Sequence, residues 1–208
     1  MEIISLIAIA SVIVGSGIGG LFIYKKSSAK LLPYQQEVSQ QSEDTNGFSD
    51  FKVGNILKLL NYGANIEDYD LQITRKDVFT ESGNEWFQYE AKGDTCNFFF
   101  HTMPQDNWEP YILTEKTTID IIPLTENEIR NFRAIVKGSF TYKQIVYTYK
   151  MAGSAFLRFQ DSGPQKIDYW YFYSDDKNNF LKIERLDPRN PMTVTIFEKL
   201  PRHKYEYL

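Results

Sequence analysis

The run Ile3–Tyr24, IISLIAIASVIVGSGIGGLFIY, carries no charged residue, and Lys25, Lys26 and Lys30 follow it. Crossing a bilayer's hydrocarbon core takes about 20 consecutive apolar residues. Inside lipid the backbone must satisfy its own hydrogen bonds, so the run is expected to be one transmembrane helix. Gly15, Gly17, Gly19 and Gly20 are compatible with that environment. Gly15 and Gly19 form a small-xxx-small pair, a helix-packing face through which two copies could associate as a homodimer. The plainer alternative is a helix with small residues and no partner. A cleaved signal peptide fits less well. Glu2 replaces the basic n-region, the apolar run is long, and the basic residues come after it. No cysteine lies near the run to carry a lipid.

The same charges orient the helix. Nothing basic except the amino terminus precedes the span, and three lysines lie just beyond it. The positive-inside rule then expects a single-pass protein with the N-terminus outside and the body in the cytoplasm. Cys96, the only cysteine, agrees with a reducing compartment.

Beyond the first thirty residues the chain has 20 basic and 26 acidic side chains, a net of −6. That balance argues against nucleic-acid binding, which needs a basic face to displace counterions. It also argues against a body lying flat on anionic lipid. Contact with lipid is expected only through residues 3–24. The aromatic content of 15% suits strands better than helices.

Three segments follow from composition: an anchor at 1–26, a polar linker at 27–50 and a β-rich domain at 51–208. The linker is rich in Gln, Ser, Glu and Asn, and cannot bury enough surface to offset its ordering entropy. In the body, Val53, Ile56, Leu57 and Leu60 fall at helical spacing and predict a short helix ended by Gly63. From Tyr69 onward the pattern predicts short strands joined by polar turns, with one interruption. Thr125-Glu-Asn-Glu128 is a capping box and predicts a second helix. The fold expected is mainly β: an antiparallel meander forming a sandwich or partly closed barrel from two similar halves, with one or two short helices.

The two halves are suggested by matching hairpins. Trp86-Phe-Gln-Tyr is followed by Asn97-Phe98, and Trp170-Tyr-Phe-Tyr by Asn179-Phe180. This predicts an internal duplication of about 51–122 and 137–200. Gly138-Ser-Phe-Thr-Tyr142, the Trp-x-x-Tyr hairpins and Phe180-Leu-Lys-Ile-Glu184 together resemble the bacterial domain-of-unknown-function family 4178. The resemblance covers about residues 50–200. It implies a β-rich module of unassigned biochemistry, with genes beside membrane-stress, band-7-type and ion-channel-type proteins. It supplies no catalytic residues.

Sites of chemistry are sparse. The chain lacks C-x-x-C, H-E-x-x-H, G-x-S-x-G and phosphate-loop patterns, so no metal, cofactor or enzymatic activity is expected. Cys96 and His101 differ by an odd number and face opposite sides of a strand, which disfavours a shared zinc. Glu67, Asp68, Asp70, Asp175 and Asp176 fall in turns, where aspartate bonds its own backbone. Glu184 reads as an outward residue or as a partner of Lys182 or Arg185. Two aromatic groups are the better candidates. Tyr169, Tyr171 and Tyr173 alternate on one strand face and could form an exposed interaction surface, unless both faces are buried. Trp86, Trp108 and Trp170 could line a pocket. The functional expectation is a membrane-tethered, non-catalytic protein-interaction or scaffolding module. Its alternative is a ligand-binding or sensory β-barrel.

Overall fold

The computed structural model of the chain describes residues 47–64, 66–159 and 162–208. The apolar span, its Gly15 and Gly19 face, and the linker up to residue 46 lie outside the described residues. Among the described residues no helix is long and apolar enough to cross a membrane.

Eleven strands make up the body among the described residues. They are β1 (Ile56–Tyr62), β2 (Glu67–Glu81), β3 (Asn84–Lys92), β4 (Asn97–Thr102), β5 (Tyr111–Thr118), β6 (Ser139–Tyr142), β7 (Ile145–Arg158), β8 (Gln165–Ser174), β9 (Asn179–Arg185), β10 (Thr193–Lys199) and β11 (Tyr205–Tyr207). An α-helix, α1 (Glu126–Ile135), joins β5 to β6. The strands run β11-β1-β2-β3-β4-β5-β10-β9-β8-β7-β6, and β2 also pairs with β7. That extra pairing closes β2–β5 and β7–β10 into an eight-stranded antiparallel barrel. Closure removes the free edges that an open sheet would expose. The expected sandwich or partly closed barrel is therefore a fully closed one.

Two elements depart from the sequence pattern. The helix expected around residues 53–60 is strand β1, in which Leu57 and Leu59 are buried and alternate with partly exposed neighbours. Its backbone is bonded to β2 on one side and β11 on the other, and tertiary pairing overrides the local spacing. Where short strands are expected beyond Tyr69, β2 and β7 are long strands, each interrupted by a bulge. Thr74 is the extra residue between Ile73 and Arg75 in β2, and Lys150 the extra one between Tyr149 and Met151 in β7. A bulge bends a strand without ending it. In both strands the half before the bulge pairs with an outer strand, β1 or β6, and the half after it forms barrel wall. Two-residue turns with positive φ, Ser82-Gly83 and Lys143-Gln144, join β2 to β3 and β6 to β7.

The bends create three cores. The barrel lumen holds Phe79, Trp86, Tyr111, Tyr169, Tyr171, Phe180 and Phe197 among others. Outside it, β1 and β11 cover one flank, burying Leu57, Leu71, Tyr89, Phe100 and Tyr205. On the other flank β6 and α1 bury Ile129, Phe132, Phe140, Phe172 and Ile183. The helix starts at the expected capping box: the Thr125 hydroxyl accepts from the Glu128 amide, and the Glu128 carboxylate accepts from the Thr125 amide.

The body begins earlier than the expected boundary at 51. Phe48 and Phe51 are buried in the first flank. The Tyr89 hydroxyl donates to the Phe48 carbonyl at 2.6 Å. Lys76 Nζ donates to the carbonyls of Ser49 and Phe51, both at 3.0 Å, while its ammonium sits 3.9 Å from the Phe87 ring centroid. Burial against these groups lowers the pKa of Lys76. Residues 48–51 thus belong to the folded body, not to the linker.

Candidate functional site in the barrel lumen

Barrel walls alternate inward and outward residues, so parity decides what reaches the lumen. On β8 the inward set is Ile167, Tyr169, Tyr171 and Tyr173, while Trp170 and Phe172 face the α1 flank. The three tyrosines are buried and make no exposed row. Both faces of the strand are covered because the barrel is a middle layer between lumen and flank. The three tryptophans are not brought together either. Trp86 lies in the lumen, Trp108 stacks on Phe87 in the first flank at 5.4 Å, and Trp170 lies in the second.

The tyrosine ladder spans the lumen. The Tyr169 hydroxyl donates to Glu81 Oε2, and the Ser154 amide donates to Glu81 Oε1 at 3.0 Å. Tyr171 accepts from Trp86 Nε1 at 2.9 Å. The Tyr173 hydroxyl donates to Asp106 Oδ2 at 2.6 Å. Burial, together with nearby carboxylates, drives all three phenols far above the usual tyrosine range. Desolvation also raises the pKa of Asp106, against the pull of the Tyr173 hydrogen bond and nearby lysines. Gly153 permits the first of these contacts, because a Cβ there would lie 2.3 Å from Glu81 Oε1.

Beside the ladder lies a charged cluster. Lys182 is 1% exposed, with its Nζ 2.7 Å from Glu184 Oε2 and 3.0 Å from Gln88 Oε1. Arg75 bridges Asp77 at 3.1 Å and Glu90 at 2.8 Å. Burial raises the pKa of Asp77, and the Arg75 charge opposes that rise. His101 is fully buried among Phe79, Tyr171, Phe180 and Phe197, with ring centroids 5.2–5.9 Å away. Neither of its ring nitrogens has a hydrogen-bond partner. Desolvation and the Lys182 charge push its pKa well below 6.5, so the ring is neutral. Lys182 faces the same Phe79 and Phe197 rings, at 5.1 and 5.9 Å.

The sequence left Glu184 as an outward residue or a partner of Lys182 or Arg185, and the structure pairs it with Lys182 inside the barrel. The available signal was parity: Lys182 and Glu184 are in phase with Phe180, and Gln88 and Glu90 with Trp86. Charged residues in phase with buried aromatics on a strand covered on both faces must enter a core. Cys96 lies in the turn before β4, apart from the lumen. Among the described residues no cluster of three or more His, Cys, Asp or Glu side chains could hold a metal ion. A shallow surface cleft of about 500 Å³ is lined by Ile56, Asp70, Gln72, Lys92, Gly93 and Asp94, on the outside of the barrel. No family model, curated protein or solved structure matches the chain.

Proposed function

We propose that this chain is a non-catalytic barrel module, held at a bacterial inner membrane by its N-terminal apolar run, that engages protein partners through its outer surface. The observation that carries the reading is the filling of the lumen. Rings at contact distance and paired charges occupy the space in which a barrel would otherwise hold a substrate or ligand. Recognition is then left to the outside, where Val146 and Phe156 are exposed apolar residues on β7. The charge asymmetry around residues 3–24 supports a cytoplasmic body. Kinship with domain-of-unknown-function family 4178 belongs to the same reading.

The matching construction of β1–β5 and β6–β10 supports an internal duplication. Each run has an outer strand, a long bulged strand and three further wall strands in the same order. Aligned on the bulges, however, Trp170 corresponds to Tyr89 and Trp86 to Ile167. The Trp86–Trp170 match in sequence is out of phase, which explains why one indole faces the lumen and the other a flank.

The test is site-specific photo-crosslinking in membranes, with the reactive group at position 146 or 156 and protease access compared in spheroplasts and inverted vesicles. Discrete protein adducts and cleavage only in inverted vesicles are expected. Absence of any reproducible adduct overturns the interaction reading, and cleavage in spheroplasts overturns the orientation. One observation favours the alternative of a ligand-binding barrel: the unpartnered nitrogens of His101 could hold a small polar guest. Native mass spectrometry of the intact chain showing a retained small molecule would support it.

A further inference from the structure

The lumen contains a path of neighbouring aromatic side chains, oxidisable except for Phe180, from one carboxylate to another. At one end Tyr169 donates to Glu81, and its ring centroid is 4.5 Å from that of Tyr171 and 5.5 Å from Trp86. Trp86 Nε1 is bonded to the Tyr171 hydroxyl. Phe180 bridges Tyr171 to Tyr173, at 5.0 and 5.1 Å. At the far end Tyr173 donates to Asp106. The tyrosines are buried, whereas Glu81 and Asp106 are both partly exposed. We propose that Tyr169, Trp86, Tyr171 and Tyr173 form a relay for one-electron oxidation, with Glu81 and Asp106 as the proton acceptors at its ends.

The chemistry requires this arrangement of partners. A phenol that loses an electron becomes a strong acid, so its oxidation is easy only where a base already accepts its hydrogen bond. A one-electron oxidant, such as a peroxyl radical or a photogenerated ruthenium(III) complex, takes an electron from Tyr169 and is reduced. The phenolic proton moves along the existing hydrogen bond to Glu81, leaving a neutral tyrosyl radical and a carboxylic acid. The hole then reaches Tyr173 by tunnelling across Tyr171 and Phe180, neither of which is itself oxidised, and an electron returns to Tyr169. Glu81 then gives back its proton, and Tyr173 passes its own to Asp106. Each step conserves charge and protons, and the radical ends on a phenol shielded from solvent. Burial alone asks only that each hydroxyl find a partner. It does not ask that the rings touch from one carboxylate to the other.

The experiment is flash-quench photo-oxidation of the full chain in detergent with a ruthenium polypyridyl sensitiser. Transient absorption and electron paramagnetic resonance supply the readout. A long-lived tyrosyl radical coupled to one exchangeable proton is expected in the unaltered protein. It is expected to disappear in the double variant Y169F/Y173F, and to concentrate on Tyr173 in E81Q, which keeps the hydrogen bond but removes the base. Circular dichroism and thermal melts establish that each variant is folded. A wild-type radical quenched at once by a surface reductant overturns the proposal without any variant. So does an unchanged signal in folded Y169F/Y173F, which would place the radical on outer phenols such as Tyr62 or Tyr142.

Discussion

At the residue scale, the lumen's chemistry turns on single side chains with unusual surroundings. His101 is held neutral in the fold, whereas an unfolded histidine titrates near 6.5. Above that pH both states are neutral and stability is unaffected. As pH falls below about 6.5 the unfolded chain takes up a proton that the fold refuses, so stability falls by up to about 1.4 kcal/mol per pH unit until the folded-state value is reached. Thermal melts across pH 7 to 5 should show His101→Phe less acid-sensitive than the parent; equal slopes would disprove it. Lys182 sits in a different balance. Lys182→Met leaves Glu184 without its cation and should destabilise the barrel by about 3–5 kcal/mol, with K182M/E184L recovering part of the loss. Denaturant titration of the single and double variants measures the coupling. Gly153→Ala places a methyl against the Glu81 carboxylate and should destabilise by about 1–3 kcal/mol.

At the scale of elements, the two bulged strands and the segment entering β1 matter most. The segment at residues 48–51 fastens the start of the body to the barrel wall through Phe48, Tyr89 and Lys76. Phe48→Ala should therefore destabilise the whole body, by about 3–5 kcal/mol. Hydrogen exchange would show the effect reaching β1–β4; a loss confined to fraying before residue 52 would mean that the segment is only draped on the surface. The helix makes a smaller demand. Thr125→Ala removes one half of the capping box and should lower stability by about 1 kcal/mol.

At the scale of the molecule, one lumen is shared by both halves, while the first flank is built on β1–β5 together with the C-terminal β11 and the second on β6–β10 together with α1. The halves meet at two seams, β2–β7 and β5–β10, and both seams close on the same aromatic interior. Unfolding should therefore be a single cooperative transition, coincident by tryptophan fluorescence and far-ultraviolet circular dichroism. Separate transitions for the two would show that the flanking cores are independent.

Local sequence accounts for the β character, for short strands joined by polar turns beyond Tyr69, and for the capping box. These rest on short-range physics: alternation, polar residues between apolar runs, and side chains that bond their own backbone. The Trp86 and Trp170 hairpins match in sequence, but the register puts their tryptophans out of phase, because aromatic residues recur at several positions and only hydrogen-bond register distinguishes them. Tertiary structure decided the rest. Whether Tyr169, Tyr171 and Tyr173 were a surface or a core depended on barrel closure, which turns them into the lumen, while α1 and β6 cover Trp170 and Phe172 on the opposite face. Barrel closure depended on β2 meeting β7, a pairing that no local pattern encodes. The lumen follows from that closure, which carries Lys182, Glu184 and His101 inward as residues in phase with their aromatic neighbours.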